Sequence, residues 1–470
     1  MAVTVPGEGF LTLLKKKNFL RLWLAQLISM TILNASNYAL LVLIEEVTGS
    51  TTLVGLAIIC FSLPALILGA PAGVYVDRMN KRRVLWGSNC LRAIATFLFV
   101  LSLLLNRHQL IPVYLLTFLI SSIGQFFTPA EGSAIPMLVS EEELMPALSL
   151  FNITFMLSQA LGFILLAPII LTLLPTFTIF KLVIHPVESL YTLIALLYGV
   201  CAILITSIPA AHFSQPITEH KRVSAQNLEV VNNVWREMYQ GWSFVRRNKS
   251  LFLAVIQLSF AGVLLLVIGE LATPIVTQLL HLLPKAMAFV FAPAGIGLVI
   301  GSLVMPRISR HLGKSRAIFI GCIALTLATL LLPLVTILAR FLQPSGWNTN
   351  PLLLGTIAII MLLAGIFLDF VNIPAQTAIQ ELTPDWIKGR VLALQLMLYN
   401  ACSIPIILFV GAVSDLFGID RVLYLMSICE LSFGFWSIYY ERKHPQIISV
   451  IHAKKEEEKE TALTELKQGS

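Results

Sequence analysis

Five charges fall within the seven residues Asp77-Arg78-Met79-Asn80-Lys81-Arg82-Arg83, and long apolar stretches flank them on both sides. A connection this short forces the flanking segments to lie side by side and antiparallel. A charge cluster this dense cannot stay in hydrocarbon, so it marks a membrane face. Its sign names the face, because Lys and Arg beside membrane segments stay cytoplasmic. The chain is thereby committed to helices that cross a bilayer and turn back.

The rest of the chain agrees. Of 470 residues, 57% are hydrophobic and only 12% charged, against about 25% charged in a soluble domain. Apolar runs fall at 19–44, 52–76, 84–105, 112–135, 147–174, 187–209, 251–278, 286–306, 317–339, 352–378, 390–412 and 421–440. Each is close to the roughly 20 residues a spanning helix needs. They are apolar all round rather than alternating, which excludes a membrane β-barrel. The expected fold class is an all-α integral membrane protein with about 12 transmembrane helices. The net charge of +7 is loop charge and does not point to nucleic acid. The six cysteines sit in or beside apolar runs without Cys-x-x-Cys spacing, so neither disulfides nor a metal site is expected. Lys15, Lys16, Lys17 and Arg21 precede the first run, the pattern of an uncleaved start-transfer helix.

An even number of spans puts both termini on one side. With that side inside, 26 of the 32 Lys and Arg residues are cytoplasmic and 5 lie outside. Such a bias predicts cytoplasmic termini in the cell (inner) membrane. The expected organisation is a cytoplasmic N-terminus (1–18), a six-helix bundle (19–209), a linker (210–250), a second bundle (251–441) and a charged cytoplasmic tail (442–470). Within the linker, Val234, Trp235, Met238 and Trp242 form the apolar side of an amphipathic helix predicted to lie on the inner membrane face. The bundles repeat one another. Pro129-Ala130 ends the fourth span and Pro374-Ala375 the tenth, and Gly73-x-x-x-Asp77 corresponds to Gly301-x-x-x-Met305. Parallel six-helix repeats follow, and the loop acid has no counterpart in the second copy.

Gly73-x-x-x-Asp77-Arg78 with Lys81-Arg82-Arg83 resembles the loop between helices 2 and 3 of the major facilitator superfamily. Leu91-Arg92-Ala93, Ala134-Ile135-Pro136, Gly241-Trp242 through Arg246-Arg247-Asn248, and Gly389-Arg390-Val391 add to the likeness. Together they look like the macrolide-efflux and enterobactin-exporter-like branch. The resemblance implies a secondary transporter whose halves rock around a midplane site. It also implies a conformational latch made by Gly73, Asp77, Arg78, Arg82 and Arg83. Gly73 would let helix 2 approach a neighbour closely. Asp77 would face the start of helix 11, near Trp386 to Val391, where an anion gains about 0.3–2 kcal/mol. The plainer alternative is that these charges only set topology. Antiporters of the superfamily often carry a glycine-proline motif in helix 5. Here Gly162 and Pro168 match it, while Ala167 and Leu171 replace glycines.

Ionisable groups inside spans are costly, so each is a candidate for function. Arg92 either snorkels to the surface or pairs with an acid. Asp369 and Glu270 are the expected proton or substrate ligands, with Glu131 a further candidate; a structural hydrogen bond is the alternative for each. Asn34, Asn37, Gln125, Asn152, Gln159 and Asn372 are expected to line a polar cavity between the halves. Gly313-Lys314-Ser315 lacks the earlier glycine of a phosphate loop, and no histidine has metal-ligand spacing. No cofactor and no metal are expected. The function expected is proton-coupled efflux of a small amphipathic compound, drug or siderophore-like, by a monomer that partners only its substrate, protons and lipid. The alternatives are an importer or lipid-handling transporter of the same fold, or a non-transporting membrane sensor or assembly protein.

Overall fold

The structure, a computed structural model, describes residues 12–179, 182–213, 239–283, 286–344 and 346–444. Its long helices are α1 (Lys17–Thr48), α2 (Thr51–Arg78), α3 (Lys81–Leu105), α4 (Leu110–Ala134), α5, α6 (Pro186–Thr206), α7 (Lys249–Pro274), α8 (Met287–Leu312), α9 (Lys314–Leu342), α10 (Pro351–Leu382), α11 (Asp385–Phe417) and α12 (Ile419–Lys443). Helix α5 runs from Glu141–Ala160 through a π-turn, Leu161–Leu166, into Ala167–Leu173. Pro168, which cannot donate to the preceding turn, sits just past that π-turn. Among the described residues eleven helices are long and apolar enough to cross a membrane, and α8 carries the shorter apolar stretch Phe289–Met305.

Local chemistry sets the ends. Ser50, Asn80, Asn248 and Asn350 each accept a backbone N–H of the first turn that follows them, and Ser140 forms a capping box with Glu143. These bonds satisfy amides that have no partner within the helix. Single glycines, Gly313 (φ 82°) and Gly418 (φ 89°), separate α8 from α9 and α11 from α12. A side chain at either backbone angle would be strained. The helices overrun the predicted spans: α11 extends to Phe417, beyond residue 412. Backbone amides still need partners after the sequence turns polar.

One segment departs from the all-α expectation. Between α5 and α6, β1 (Phe177–Ile179) and β2 (Leu182–Ile184) pair antiparallel, with Phe177 opposite Ile184. Strand-forming Phe, Thr, Ile and Val in both segments carried that signal. Of the predicted amphipathic helix, 214–238 lies outside the described residues. Residues 239–247 are helical, and there Val245 is fully buried with Trp242 and Phe244 against Leu251 and Ile387. That part packs on the second bundle.

Helices α1–α6 form one bundle and α7–α12 the other. Within the second, Gly297 meets the Leu362 carbonyl and Gly365 the Ala294 carbonyl, so α8 and α10 touch backbone to backbone. Lys16, Arg82, Lys249 and Lys314 mark one face of the molecule, called here the basic face; the opposite one is the far face. On the basic face Arg82 and Arg21 donate to the Thr206 and Ser207 carbonyls, at 2.5 and 2.6 Å. These are the last carbonyls of α6, which attract cations. Lys16 meets Glu143 at 2.5 Å and Lys314 pairs with Glu381.

The core divides along the same axis. Near the far face one buried apolar cluster crosses both bundles, joining Leu41, Val54 and Ile58 to Leu264, Val267 and Ile407. Toward the basic face the clusters separate. Leu22, Val76, Phe127 and Ile205 belong to the first bundle; Leu251, Val255, Ile387 and Val391 belong to the second. Among the described residues, buried apolar packing seals the seam near the far face, and the clusters toward the basic face each stay within one bundle.

Candidate functional site

The seal is made where α2 crosses α11, with α7 beside them. Small residues permit it. A Cβ placed on Gly411 would lie 2.8 Å from Thr52 Cα, and one on Gly55 would lie 2.9 Å from Ile407 Cγ2. Both hypothetical atoms would also strike the carboxyl of Glu270, which α7 inserts between the two glycines. Glu270 is fully buried, and neither carboxyl oxygen has a hydrogen-bond partner. A buried carboxyl without a partner is costly, and far more so when charged. Its strongest electrostatic neighbour is another acid, Asp415.

Asp415 crosses the seam. One oxygen accepts from Ser50 Oγ (2.6 Å), Thr52 N (3.0 Å) and Thr52 Oγ1 (2.7 Å), and the other from Thr51 N (2.7 Å). Thr51 and Ser414 hydroxyls meet at 3.2 Å beside them. Nearby, Glu45 of α1 accepts from Thr277 Oγ1 at 2.7 Å. Three carboxyls from three helices thus occupy one rim. Sequence reasoning found Glu270 and missed Asp415 and Glu45, which sit at or beyond the predicted span edges. The run Ser50-Thr51-Thr52, rich in capping residues, was the available signal.

Asp369 is elsewhere. It is buried inside the second bundle, where a Cβ on Gly301 would meet its Cβ and Oδ2 at 3.0 Å. Arg92 does not snorkel: it is 1% exposed, donates to Ser29 Oγ at 3.2 Å and lies over the Phe127 and Tyr198 rings at 5.2 and 5.6 Å. It is the cation that acts on buried Glu131. The two form no ion pair or hydrogen bond among the described residues, and one Glu131 carboxyl oxygen is buried without a partner.

The amides do not gather into one cavity. Asn34 turns back to the Met30 carbonyl at 2.8 Å. Asn37 lines a void of about 10 Å³ inside the first bundle with Phe61, Phe99 and Tyr191. Gln125 points toward Gly69, its Oε1 3.9 Å from a Cβ built there, Asn372 is half-buried and Gln159 exposed. The side chain of Asn152 lies outside the described residues, as do those of Asp77, Arg78, Trp386 and Arg390. Gly73 departs from expectation: a Cβ there would meet nothing within 4 Å among the described residues. In this conformation α2 makes its tight contact at Gly55, at the opposite end. A separate far-face cavity of about 470 Å³ is lined by Glu46, Arg107, Thr172, His185 and Leu283. Arg107 there bridges Glu46 at 3.0 Å and buried Glu188 at 3.6 Å.

The arrangement, two bundles packed together across a seam near one face, has relatives in shape. A nucleoside transporter, NupG, superposes with a TM-score of 0.63 at 12% identity, covering 90% of this chain and 98% of that one. A bacterial homolog of the human lysosomal transporter Spinster, in an inward-facing and unoccupied conformation, gives 0.64 at 11% identity, covering 89% and 95%. In sequence, macrolide efflux protein A of Streptococcus pyogenes is 27% identical over 244 residues, 50% of this chain and 53% of that protein. The uncharacterized MFS-type transporter YkuC of Bacillus subtilis (strain 168) is 27% identical over 149 residues, 32% of this chain and 34% of that protein. The chain thus spans about half or less of the length of these curated relatives. The family model of the Major Facilitator Superfamily matches residues 22–404, and this multi-pass membrane protein belongs to that superfamily.

Proposed function

We propose that this protein is a secondary active transporter that expels a small amphipathic compound in exchange for protons. The positive-inside bias makes the basic face cytoplasmic, so the sealed far face is the outer one and the conformation is open to the cytoplasm. The observation that carries the proposal is Glu270, a carboxyl without a partner, locked in the seam that must part for the outer side to open. Sealing the seam around an unpartnered carboxylate is expensive, whereas sealing it around the neutral acid is not. Proton uptake from the outside would then accompany resealing, and the proton must leave toward the cytoplasm before the seam parts again, so that each cycle carries one proton inward as the compound moves out. Asp369, Glu131 and Arg92 are buried inside the bundles, away from the sealed crossing, and serve packing there in this reading. Asp77, with Gly73, Arg78, Arg82 and Arg83, acts in the other conformation, when the basic face closes. The matches to macrolide efflux proteins make a macrolide the first compound to try.

The test is purified protein in vesicles with an imposed pH gradient, inside-out with respect to the cell. A macrolide should accumulate in the vesicle lumen against its gradient, drawing protons out. Glu270→Gln should abolish the dependence on the pH gradient while leaving exchange of the compound across the membrane. Gradient-driven accumulation by Glu270→Gln at the parental rate would refute the assignment. Accumulation in the opposite orientation would identify an importer.

A further inference from the structure

We infer that Asp415 is the latch that holds the far face shut. The first amides of a helix have no partner within it and form a site of partial positive charge. In α2 those of Thr51 and Thr52 are taken not by a residue of the same bundle but by Asp415 of the other, with the hydroxyls of Ser50 and Thr52 completing the set. Ser50, the helix's own cap, reaches the Leu53 N–H only at 3.4 Å, so Asp415 does most of the capping. Among the described residues no Lys or Arg ion-pairs with it. The carboxylate is therefore committed to α2.

Every one of these bonds joins one bundle to the other, so all of them break when α2 and α11 part. A contact biases a conformational equilibrium only if it differs between the two states, and these do. The bonds of buried Glu430 give the contrast. It accepts from Thr329 Oγ1 at 2.9 Å, but both residues belong to the second bundle, and rocking leaves that bond intact. Asp415 also mirrors the arrangement that the family resemblance implies for Asp77. There an acid near the end of α2 faces the start of α11; here an acid near the end of α11 faces the start of α2. The inference rests on the two bundles rocking apart and is independent of direction, substrate and coupling ion.

The test reads opening directly. Ile407 is fully buried and packs at Gly55 within the seal. In a chain whose own cysteines are replaced, Ile407→Cys is reacted with a bulky polar maleimide in lipid nanodiscs, where both faces are accessible. Removing an N-cap typically shifts an equilibrium by about fivefold, so Asp415→Ala should speed labelling about fivefold or more. Asp415→Asn, which keeps one acceptor, should fall between Asp415→Ala and the parent. Glu430→Gln should label at the parental rate. If Asp415→Ala does not reach the membrane folded, the pair Ser50→Ala with Thr52→Val removes two of the bonds and should still speed labelling about twofold or more. Parental labelling in Asp415→Ala, or in the pair where that variant does not fold, would overturn the inference. Failure of proton-driven transport in the vesicle experiment would leave the labelling result untouched.

Discussion

The sharpest consequence of the sealed seam concerns Gly411. In the sealed state a Cβ there would stand 2.8 Å from Thr52 Cα, 3.1 Å from Thr52 N and 2.8 Å from Glu270 Oε1. Carbon atoms in contact prefer about 3.5–4.0 Å. Two of the three atoms are main chain of α2, so no rotamer change can clear them. Overpacking of this kind costs about 1–3 kcal/mol, and the cost disappears once α2 and α11 separate. Alanine also favours the helix over glycine by about 1 kcal/mol, but α11 is helical in both states and that gain cancels. Gly411→Ala should therefore raise the ratio of outward-open to sealed protein by about 5- to 150-fold. Spin labels at Gln109 and Leu342, exposed on the far side of the first and second bundles, would report the shift by dipolar distance measurement. The long-distance population should grow in Gly411→Ala. It should not grow in Gly269→Ala, where a Cβ would meet nothing within 4 Å. A distance distribution in Gly411→Ala that superimposes on the parent's would refute the sealed geometry.

Another substitution tests the interior of the second bundle. Gly365→Ala brings a Cβ to 2.9 Å from Ala294 C and 3.0 Å from Leu298 N. These atoms lie within one bundle, so folded yield should fall, by about 1–3 kcal/mol of stability, with no change in the distance distribution of the surviving protein. On the basic face the Lys16 ammonium first, and then Ser140, hold the Glu143 carboxyl down at about 2, from an ordinary 4.5. A lowered folded value means the stabilisation is complete above 4.5 and is lost as pH falls toward 2. Glu143→Gln should thus cost no more than about 1 kcal/mol at pH 7, the pair being exposed, and the difference should vanish toward pH 2.

The helices and their repeat were legible because a membrane leaves no choice: a run of about 20 apolar residues has to satisfy its own backbone. The seam was half legible. Glu270 stood out as a lone charge in an apolar run, but nothing in one sequence places it between Gly55 and Gly411, whose partners lie more than a hundred positions away. Asp415 looked like a loop residue because hydropathy ends a span before the helix ends. The amides Asn34 and Asn37 misled for the opposite reason. They sit three residues apart, so they share a face of α1, yet one bonds its own helix and the other faces a void within the bundle. A polar side chain in an apolar helix has two ways to be satisfied, and sequence alone does not separate a neighbour from a cavity.

The charge bias that orients the chain also explains the chemistry of its seal. Lys and Arg crowd the basic face, so a latch there can draw on ion pairs as well as helix ends. The far face holds few of them, and none of those described ion-pairs with Asp415; exposed Arg421 lies over the Phe417 ring at 5.9 Å. Arg107 bridges Glu46 and Glu188, and Arg340 donates to the Leu279 carbonyl at 2.7 Å. A seam closed on that side has to find its positive partners elsewhere. Helix N-termini supply them at fixed positions, because the amides of the first turn are free by construction, and hydroxyls complete the shell. Asp415 takes that route, with its oxygens on Ser50, Thr51 and Thr52 rather than on a cation. A corollary follows: placing a lysine within reach, as Ser50→Lys, gives Asp415 a mobile partner that can follow it as the bundles part. Such a variant should keep the charge paired yet weaken the seal, and faster labelling of the Ile407→Cys reporter would separate helix capping from simple charge neutralisation. Slower labelling would mean that the cation, not the helix end, is the better latch.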